Sequence, residues 1–260
     1  MAERNQLQAL AAELGNAERV VVFTGAGMST ESGIPDFRSP GGLWSRFKPV
    51  EYQDYLASEA ARRRAWEMLL EIDRDWSAVL PNRGHAAVAR LASLGIVTHV
   101  ITQNIDGLHQ RSGIPDEQVI ELHGTSKYAH CLSCRTRHEL PPLKARFVSE
   151  GLSPRCDACG GLVKLAVISF GEPMPEEPMQ AADNAVHACD LCLAIGSSLQ
   201  VYPAAGFPIL AKRNGARLVI LNRDPTDLDQ IADLVINAEI GATLDAVVGG
   251  VLPLQENLRR

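Results

Sequence analysis

The chain has 260 residues, 46% of them hydrophobic, and a formal net charge of −6 from 25 Lys and Arg against 31 Asp and Glu. That content suits one large α/β domain with inserted modules and excludes a disordered or low-complexity chain; the acidic balance excludes a broadly basic nucleic-acid surface. No apolar run approaches the roughly 18 residues of a membrane span, and the six cysteines suit a reducing compartment, so a cytoplasmic location with no membrane partner is the expectation.

A polar stretch from Met1 leads into a helix expected over Gln6 to Asn16. The β-branched run from Arg19 to Thr24 reads as a buried strand ending in the glycine turn Gly25-Ala-Gly27. Pro40 to Leu80, rich in Trp, Glu and Arg, is expected to be mostly helical. A helical pattern over His85 to Ser93 and an apolar run from Val97 to Thr102 follow. Further strands are expected at Leu191 to Ile195 and Arg217 to Leu221, a weaker edge strand at Asp233 to Ile236, and a helix over Pro203 to Asn214. Strands alternating with helices imply a doubly wound, Rossmann-like α/β fold with a parallel sheet. Ligands of such sheets bind beyond the carboxyl ends of the strands, where Thr24, Thr102, Gly196 and Asn222 fall. Two segments fit the alternation poorly and read as insertions. The expected division is 1–39, 81–125 and 165–260 for the nucleotide-binding domain, 40–80 for a helical insertion and 126–164 for a zinc-binding module with a Pro141-Pro142 break.

The zinc reading rests on Cys131-Leu-Ser-Cys134 and Cys156-Asp-Ala-Cys159-Gly-Gly, separated by 21 residues. Two such knuckles converge four thiolates tetrahedrally on one ion, and Gly160 and Gly161 supply positive-φ freedom for the turn. A pair of disulfides or buried thiols is the rival reading. A shell closed by four sulfurs leaves no open coordination site, so the zinc is structural and the chemistry lies elsewhere. A third pair, Cys189 and Cys192, runs into an apolar strand without a knuckle glycine and reads as structural.

Gly25-Ala-Gly27-Met-Ser-Thr-Glu-Ser-Gly33 follows a strand, as a dinucleotide-binding turn does, yet departs from G-x-G-x-x-G because position 30 is Thr and Gly33 comes late. A turn that only packs a helix on a sheet is the alternative. Gly33 to Arg38 then brings a rigid turn, a carboxylate, an aromatic ring and a guanidinium into six residues. Thr102-Gln-Asn104-Ile-Asp106 places polar groups after a strand, and Glu121-Leu-His123-Gly124 holds a lone histidine of the kind that is usually structural.

Together these segments resemble the sirtuins, the NAD-dependent protein lysine deacylases. The matching pieces are GAGMSTESGIPDFRSPGGLW at 25–44, TQNIDGLHQRSG at 102–113, ELHG at 121–124, both cysteine pairs, SFGEPMP at 169–175, GSSLQVYPAA at 196–205 and LNRD at 221–224. The resemblance implies His123 as general base on a ribose hydroxyl and Asn104 as a catalytic partner that orders water. It implies cofactor contacts from Gly25, Ala26, Gly27, Ser29, Ile34, Asp36, Phe37, Arg38 and Trp44, with Phe37 shielding the reactive sugar carbon from water. Gln103, Ile105 and Asp106 continue that set on the nicotinamide side, and Gly196, Ser197, Ser198, Asn222, Arg223, Asp224 and Ala242 on the adenosine side. Val167, Phe170, Gly171 and Glu172 match the segment on which an acyl-lysine peptide lies as an added strand. Zinc from Cys131, Cys134, Cys156 and Cys159 would be the one metal, and the implied product is O-acyl-ADP-ribose with nicotinamide and free lysine.

Leu69 and Ile72 stand where acidic-acyl-preferring sirtuins carry tyrosine and arginine, which favours uncharged acyl groups. Leu165 replaces a common proline and Ser169 a common aromatic, which bears on peptide preference. Two rival functions stay open: a protein ADP-ribosyltransferase or NAD hydrolase on the same fold, and a zinc-stabilised nucleic-acid module. Against the last stand the acidic balance and the lack of interleaved basic and aromatic residues around the knuckles.

Overall fold

The structure, a computed structural model, describes residues 2–37, 39–76 and 78–258. In chain order its elements are α1 (Ala2–Asn16), β1 (Val20–Thr24), a 3₁₀ helix (Ala26–Ser32), α2 (Leu43–Arg46), α3 (Tyr52–Ala57), α4 (Glu59–Trp76), α5 (Arg83–Ser93), β2 (Val97–Thr102) and α6 (Leu108–Arg111). There follow β3 (Val119–Glu121), β4 (Gly124–Cys131), β5 (Arg137–Glu139), α7 (Leu140–Glu150), β6 (Val163–Val167), α8 (Glu176–Ala188), β7 (Leu191–Ile195), α9 (Gly206–Arg213), β8 (Arg217–Leu221), β9 (Leu234–Ile236) and α10 (Ile240–Leu258).

Six of the strands form a parallel sheet in the order β3-β2-β1-β7-β8-β9. Counted within that sheet, the order is 3-2-1-4-5-6, the doubly wound arrangement with its switch point between β1 and β7. The continuous apolar runs are explained by burial on both faces. Val20, Val22, Leu191, Leu193 and Ile195 point into a core closed by α1, α5 and α10. Val21, Phe23, Cys192 and Ala194 alternate into the opposite core, against α8 and α9. Cys192 is wholly buried there and Cys189, which precedes the strand, packs on the same cluster; burial rather than strand alternation makes both structural.

The remaining strands form a three-stranded antiparallel sheet, β5-β4-β6. Its core joins both inserted segments, since Trp66 and Leu69 of α4 pack with Leu140, Leu143 and Phe147 of α7 and with Cys131 and Cys156. Pro141 and Pro142 open α7 rather than breaking the chain, where a missing N–H costs nothing. The two segments therefore make one small lobe, braced by Glu59, whose carboxylate accepts from the Ser153 amide at 2.6 Å and hydroxyl at 2.7 Å.

At the switch point the loops leaving β1 and β7 touch backbone to backbone. The Gly27 amide donates to the Gly196 carbonyl at 2.8 Å, and a Cβ on Gly27 would lie 2.9 Å from Gly196 Cα. A Cβ on Gly25 would lie 2.8 Å from the Gly196 carbonyl oxygen, and Gly196 itself holds φ +61. These glycines are thus required first by the packing of one loop on the other. We expect Gly27→Ala to lower the melting temperature by about 5 °C, the overpacking cost of roughly 1–3 kcal/mol expressed for a chain of this size; differential scanning fluorimetry reads it.

Candidate active site and zinc centre

A cavity of about 590 Å³ opens where the sheet's carboxyl ends meet the small lobe. It is lined by Gly25, Ala26, Gly27, Asp36, Phe37 and Trp44 from the first loop and by Gln103, Asn104, Ile105 and His123 beyond β2 and β3. Gly196, Ser197, Ser198, Asn222, Arg223 and Asp224 line it from the other half-sheet, and Val167, Phe170, Gly171 and Glu172 from the end of β6 and the turn after it. Ile34 and Asp106 instead border a neighbouring space of about 100 Å³, and Ser29 is buried behind the wall. Ala242 is exposed on the first turn of α10 and is not among the lining residues, whereas its neighbours Ile240 and Gly241 are. Arg38 lies outside the described residues.

His123 is held by its Nδ1, 3.1 Å from the Gln103 carbonyl. A carbonyl only accepts, so Nδ1 carries the proton and Nε2 is left with a lone pair. Burial pushes the His123 pKa down, opposed by that same carbonyl, so the ring is neutral near pH 7 and able to take a proton. Gln103 is fixed by its amide donating to the Thr24 carbonyl at 3.0 Å and its side chain to Ser197 Oγ at 3.0 Å, a link across the switch point.

Behind the wall runs a buried polar network. Thr24 Oγ1 donates to Thr102 Oγ1 at 2.8 Å and meets His109 Nε2 at 3.0 Å, while Thr102 Oγ1 accepts from the Asn104 amide at 3.0 Å. The Asn104 side-chain amide donates to the Gly25 carbonyl at 3.0 Å and to Ser29 Oγ at 3.2 Å; Ser29 Oγ in turn donates to Asp106 Oδ2 at 2.7 Å. Its other oxygen accepts from the Leu108 amide at 2.9 Å. Asn104 and Asp106 are therefore set in place before any ligand arrives.

Three aromatic rings roof the cavity: Phe37 lies 5.1 Å from Trp44, and Trp44 6.1 Å from Phe170. The Phe170 carbonyl accepts from the Tyr52 amide at 2.9 Å, which ties its loop to α3. On the far wall, Ala65, Met68, Leu69, Ile72 and Trp76 face the cavity from one side of α4, and no charged residue stands among them. Helical spacing in the sequence marks such a face but not what it faces. Lys164, buried beside the cavity and paired with Glu172 at 2.8 Å, carried no sequence signal at all.

In the small lobe, four sulfur atoms lie within 4.8 Å of one another, with Cys131 and Cys159 at 3.5 Å and Cys134 and Cys156 at 3.7 Å. All four cysteines are free, so the disulfide alternative falls. Four sulfurs set about 2.3 Å from a central ion would sit roughly 3.8 Å apart, so the set fits tetrahedral zinc. The residue after each second cysteine turns left-handed: Gly160 with φ 71, and Arg135 with φ 63. Gly161 does not share this conformation. It is needed because a Cβ there would lie 2.9 Å from Cys131 Sγ.

A model of the Sir2 family matches residues 25–203. The chain is 52% identical over 246 residues to NAD-dependent protein deacetylase 1 of Bradyrhizobium diazoefficiens, covering 95% of this chain and 96% of that one. It is 41% identical to NAD-dependent protein deacylase 2 of Archaeoglobus fulgidus, covering 96% and 98%. Among solved structures, a Sir2 protein with a deacetylated p53 peptide and 3′-O-acetyl ADP-ribose superposes with a TM-score of 0.86 at 31% identity, over 94% of this chain and 98% of that one.

Two outcomes follow. Elemental analysis should find one zinc per chain, and Cys156→Ala should lose it and drop the melting temperature by roughly 10 °C, because the ion closes the small lobe's core. Buried His85 and His109, rings 5.0 Å apart, should make the fold acid-sensitive. Burial lowers His85 to about 4, opposed by Asp106, and burial together with the His85 ring lowers His109 to about 3. Both are neutral when folded and charge when unfolded below the ordinary value near 6.5, so their contribution is complete above pH 6.5 and lost as pH falls towards 4. Urea titrations should show unfolding free energy falling by up to about 1.4 kcal/mol per pH unit for each imidazole in that window.

Proposed function

Since the chain belongs to the Sir2 family, we propose that it is an NAD-dependent protein lysine deacylase, favouring acetyl and other uncharged acyl groups, that yields nicotinamide, free lysine and O-acyl-ADP-ribose. The observation that carries this reading is the neutral His123 ring, its proton fixed on Nδ1 by the Gln103 carbonyl, lining one cavity with the glycine loop and the edge strand β6. The relatives named as deacetylases and deacylases support it.

Bound NAD would supply an electrophilic ribose carbon that the acyl oxygen attacks as nicotinamide leaves, and the ribose hydroxyls that receive the acyl group. His123 Nε2 takes the proton from such a hydroxyl, a task suited to an imidazole kept neutral by burial. Asn104, locked by the Gly25 carbonyl and Ser29, presents its side-chain oxygen to the ribose or to the attacking water. Asp106, with Ile105 and Ile34, recognises the carboxamide end, while Ala26, Asp36 and Phe37 close over the reacting carbon and exclude water. Ser197 and Ser198 with the Gly196 backbone hold phosphate and ribose, and Asn222, Arg223 and Asp224 the adenosine end. The β6 edge from Val167, with Phe170, Gly171 and Glu172, receives the peptide through backbone hydrogen bonds. Zinc on Cys131, Cys134, Cys156 and Cys159 holds the small lobe that frames this edge.

In this reading residues 40–80 and 126–164 are inserts in a nucleotide-binding domain of 1–39, 81–125 and 165–260. Free thiols arranged for a metal suit a reducing, cytoplasmic setting. Among the described residues, no helix is long and apolar enough to cross a membrane. Acyl-lysine proteins are the expected partners, and nucleic acid is not, given the net charge of −6.

Nicotinamide and free lysine should both appear from an acetyl-lysine peptide and NAD, and His123→Ala should cost about 10²- to 10⁴-fold in rate. A succinyl-lysine peptide should be slower by about 100-fold, because Leu69 and Ile72 leave its buried carboxylate unpaired on that wall. NAD consumption without lysine release would replace this reading with ADP-ribosyl transfer or NAD hydrolysis.

A further inference from the structure

The buried Lys164–Glu172 pair lines the cavity, with side chains only 5% and 10% exposed; Glu172 belongs to the peptide-receiving segment named above, whereas Lys164 has no role in that reading. Lys164 Nζ donates to Glu172 Oε2, to the Val167 carbonyl, and at 3.4 Å to the Leu165 carbonyl. An ammonium has three hydrogens, so none is left to reach a ligand. Glu172 Oε2 also accepts from the Ser169 amide at 2.8 Å, and the Glu172 amide donates to the Ser169 carbonyl at 3.0 Å, closing the turn that carries Phe170. One ammonium thus binds the end of β6 to the following turn. β6 pairs with β4 on one side and, among the described residues, has no partner strand on the other.

Taking two charges out of water is costly, and an apolar pair of similar volume would stabilise the lobe at least as well. The directional bonds of an ammonium, however, fix two strand carbonyls and a turn carboxylate in one geometry, which apolar packing cannot do.

We infer that Lys164 is a positioning residue for the substrate peptide: with Glu172 it presets the free edge of β6 and the Phe170 turn as one rigid seat for an added strand. The inference rests on the deacylase reading. A preset seat spares the cost of ordering it on binding, so its loss is felt in peptide affinity.

The test is steady-state kinetics with an acetyl-lysine peptide and NAD on wild type, Lys164→Met, Glu172→Gln, the double variant and Lys164→Arg, all checked for zinc content and circular dichroism. The expected result is an acyl-peptide KM raised by about tenfold in each single variant, with kcat and the KM for NAD moved far less. The double variant should be no worse than the worse single, since it leaves no lone buried charge. Lys164→Arg, which keeps the cation, should restore most of the peptide KM. An unchanged peptide KM in a folded Lys164→Met, or an equal loss in kcat and in both KM values, overturns the positioning role. Where Lys164→Met does not fold, Lys164→Arg and Glu172→Asp decide: shortening the carboxylate arm must raise the peptide KM while the arginine variant must not, and any other pattern overturns the role. Wild-type protein that fails to turn over the acetyl peptide removes the deacylase reading itself, whereas turnover with an insensitive KM removes only the role of Lys164.

Discussion

The structure depends on a backbone approach that no side chain larger than hydrogen permits. Gly25 and Gly27 lie against Gly196 so closely that a Cβ on either would fall inside 3.0 Å of backbone atoms. Strands β1 and β7 are neighbours, yet their crossovers leave to opposite sides, so a crevice opens beyond their carboxyl ends. With both loops drawn tight, the crevice is walled by backbone, and backbone amides and small hydroxyls are what phosphates and sugars require. Packing need and ligand need are met by the same glycines, which is why a sequence motif alone does not separate them.

Behind that wall the polar network carries a cost as well as an order. His85 Nδ1 accepts from the Asn82 amide at 3.4 Å as part of the α5 capping box, which leaves a proton on Nε2. His109 donates from Nε2 to Thr24, whose own proton goes to Thr102, which leaves a lone pair on Nδ1. The His85 Nε2 and His109 Nδ1 atoms are both buried without a hydrogen-bond partner. An unmet donor and an unmet acceptor in adjoining rings are tolerated because burial holds both imidazoles neutral, and charging either would add a desolvated cation to the same space. Asn104 and Asp106 inherit their fixed positions from this neutral block, so stability and site geometry are coupled through it.

What was legible in the sequence was local. The strands β1 and β7 could be read because burial on both faces makes them almost wholly apolar runs, β2 and β8 because apolar residues fill most of their length, and the zinc site because its ligands come in close pairs. At three residues, β3 is too short to show a period. The joining of the two insertions into one lobe was hidden for another reason: it rests on contacts such as Glu59 with Ser153 and Tyr55 Oη with the Val163 carbonyl at 2.6 Å, between residues about a hundred positions apart. Most residues that line the cavity were reached through family resemblance rather than spacing. Where that resemblance points to Ala242, the cavity is instead lined by Ile240 and Gly241 one turn edge away.

His123 gains its place from how the chain passes between lobes. Strand β3 ends the main sheet at Glu121 and β4 begins the small one at Gly124, so Leu122 and His123 are the whole of the crossing. On the return, the Ile168 amide donates to the His123 carbonyl at 2.9 Å just after β6. Gly124 has φ +74 and a Cβ there would collide with the Ala166 carbonyl, so the outgoing and returning chains are pressed together at that point. The histidine ring is anchored to one lobe through Gln103 while its backbone carbonyl is anchored to the other through Ile168. A residue held from both sides of the seam reports their spacing directly. Any change that shifts the small lobe, loss of zinc included, must therefore act on the His123 side chain even though every ligand of that metal lies outside the cavity.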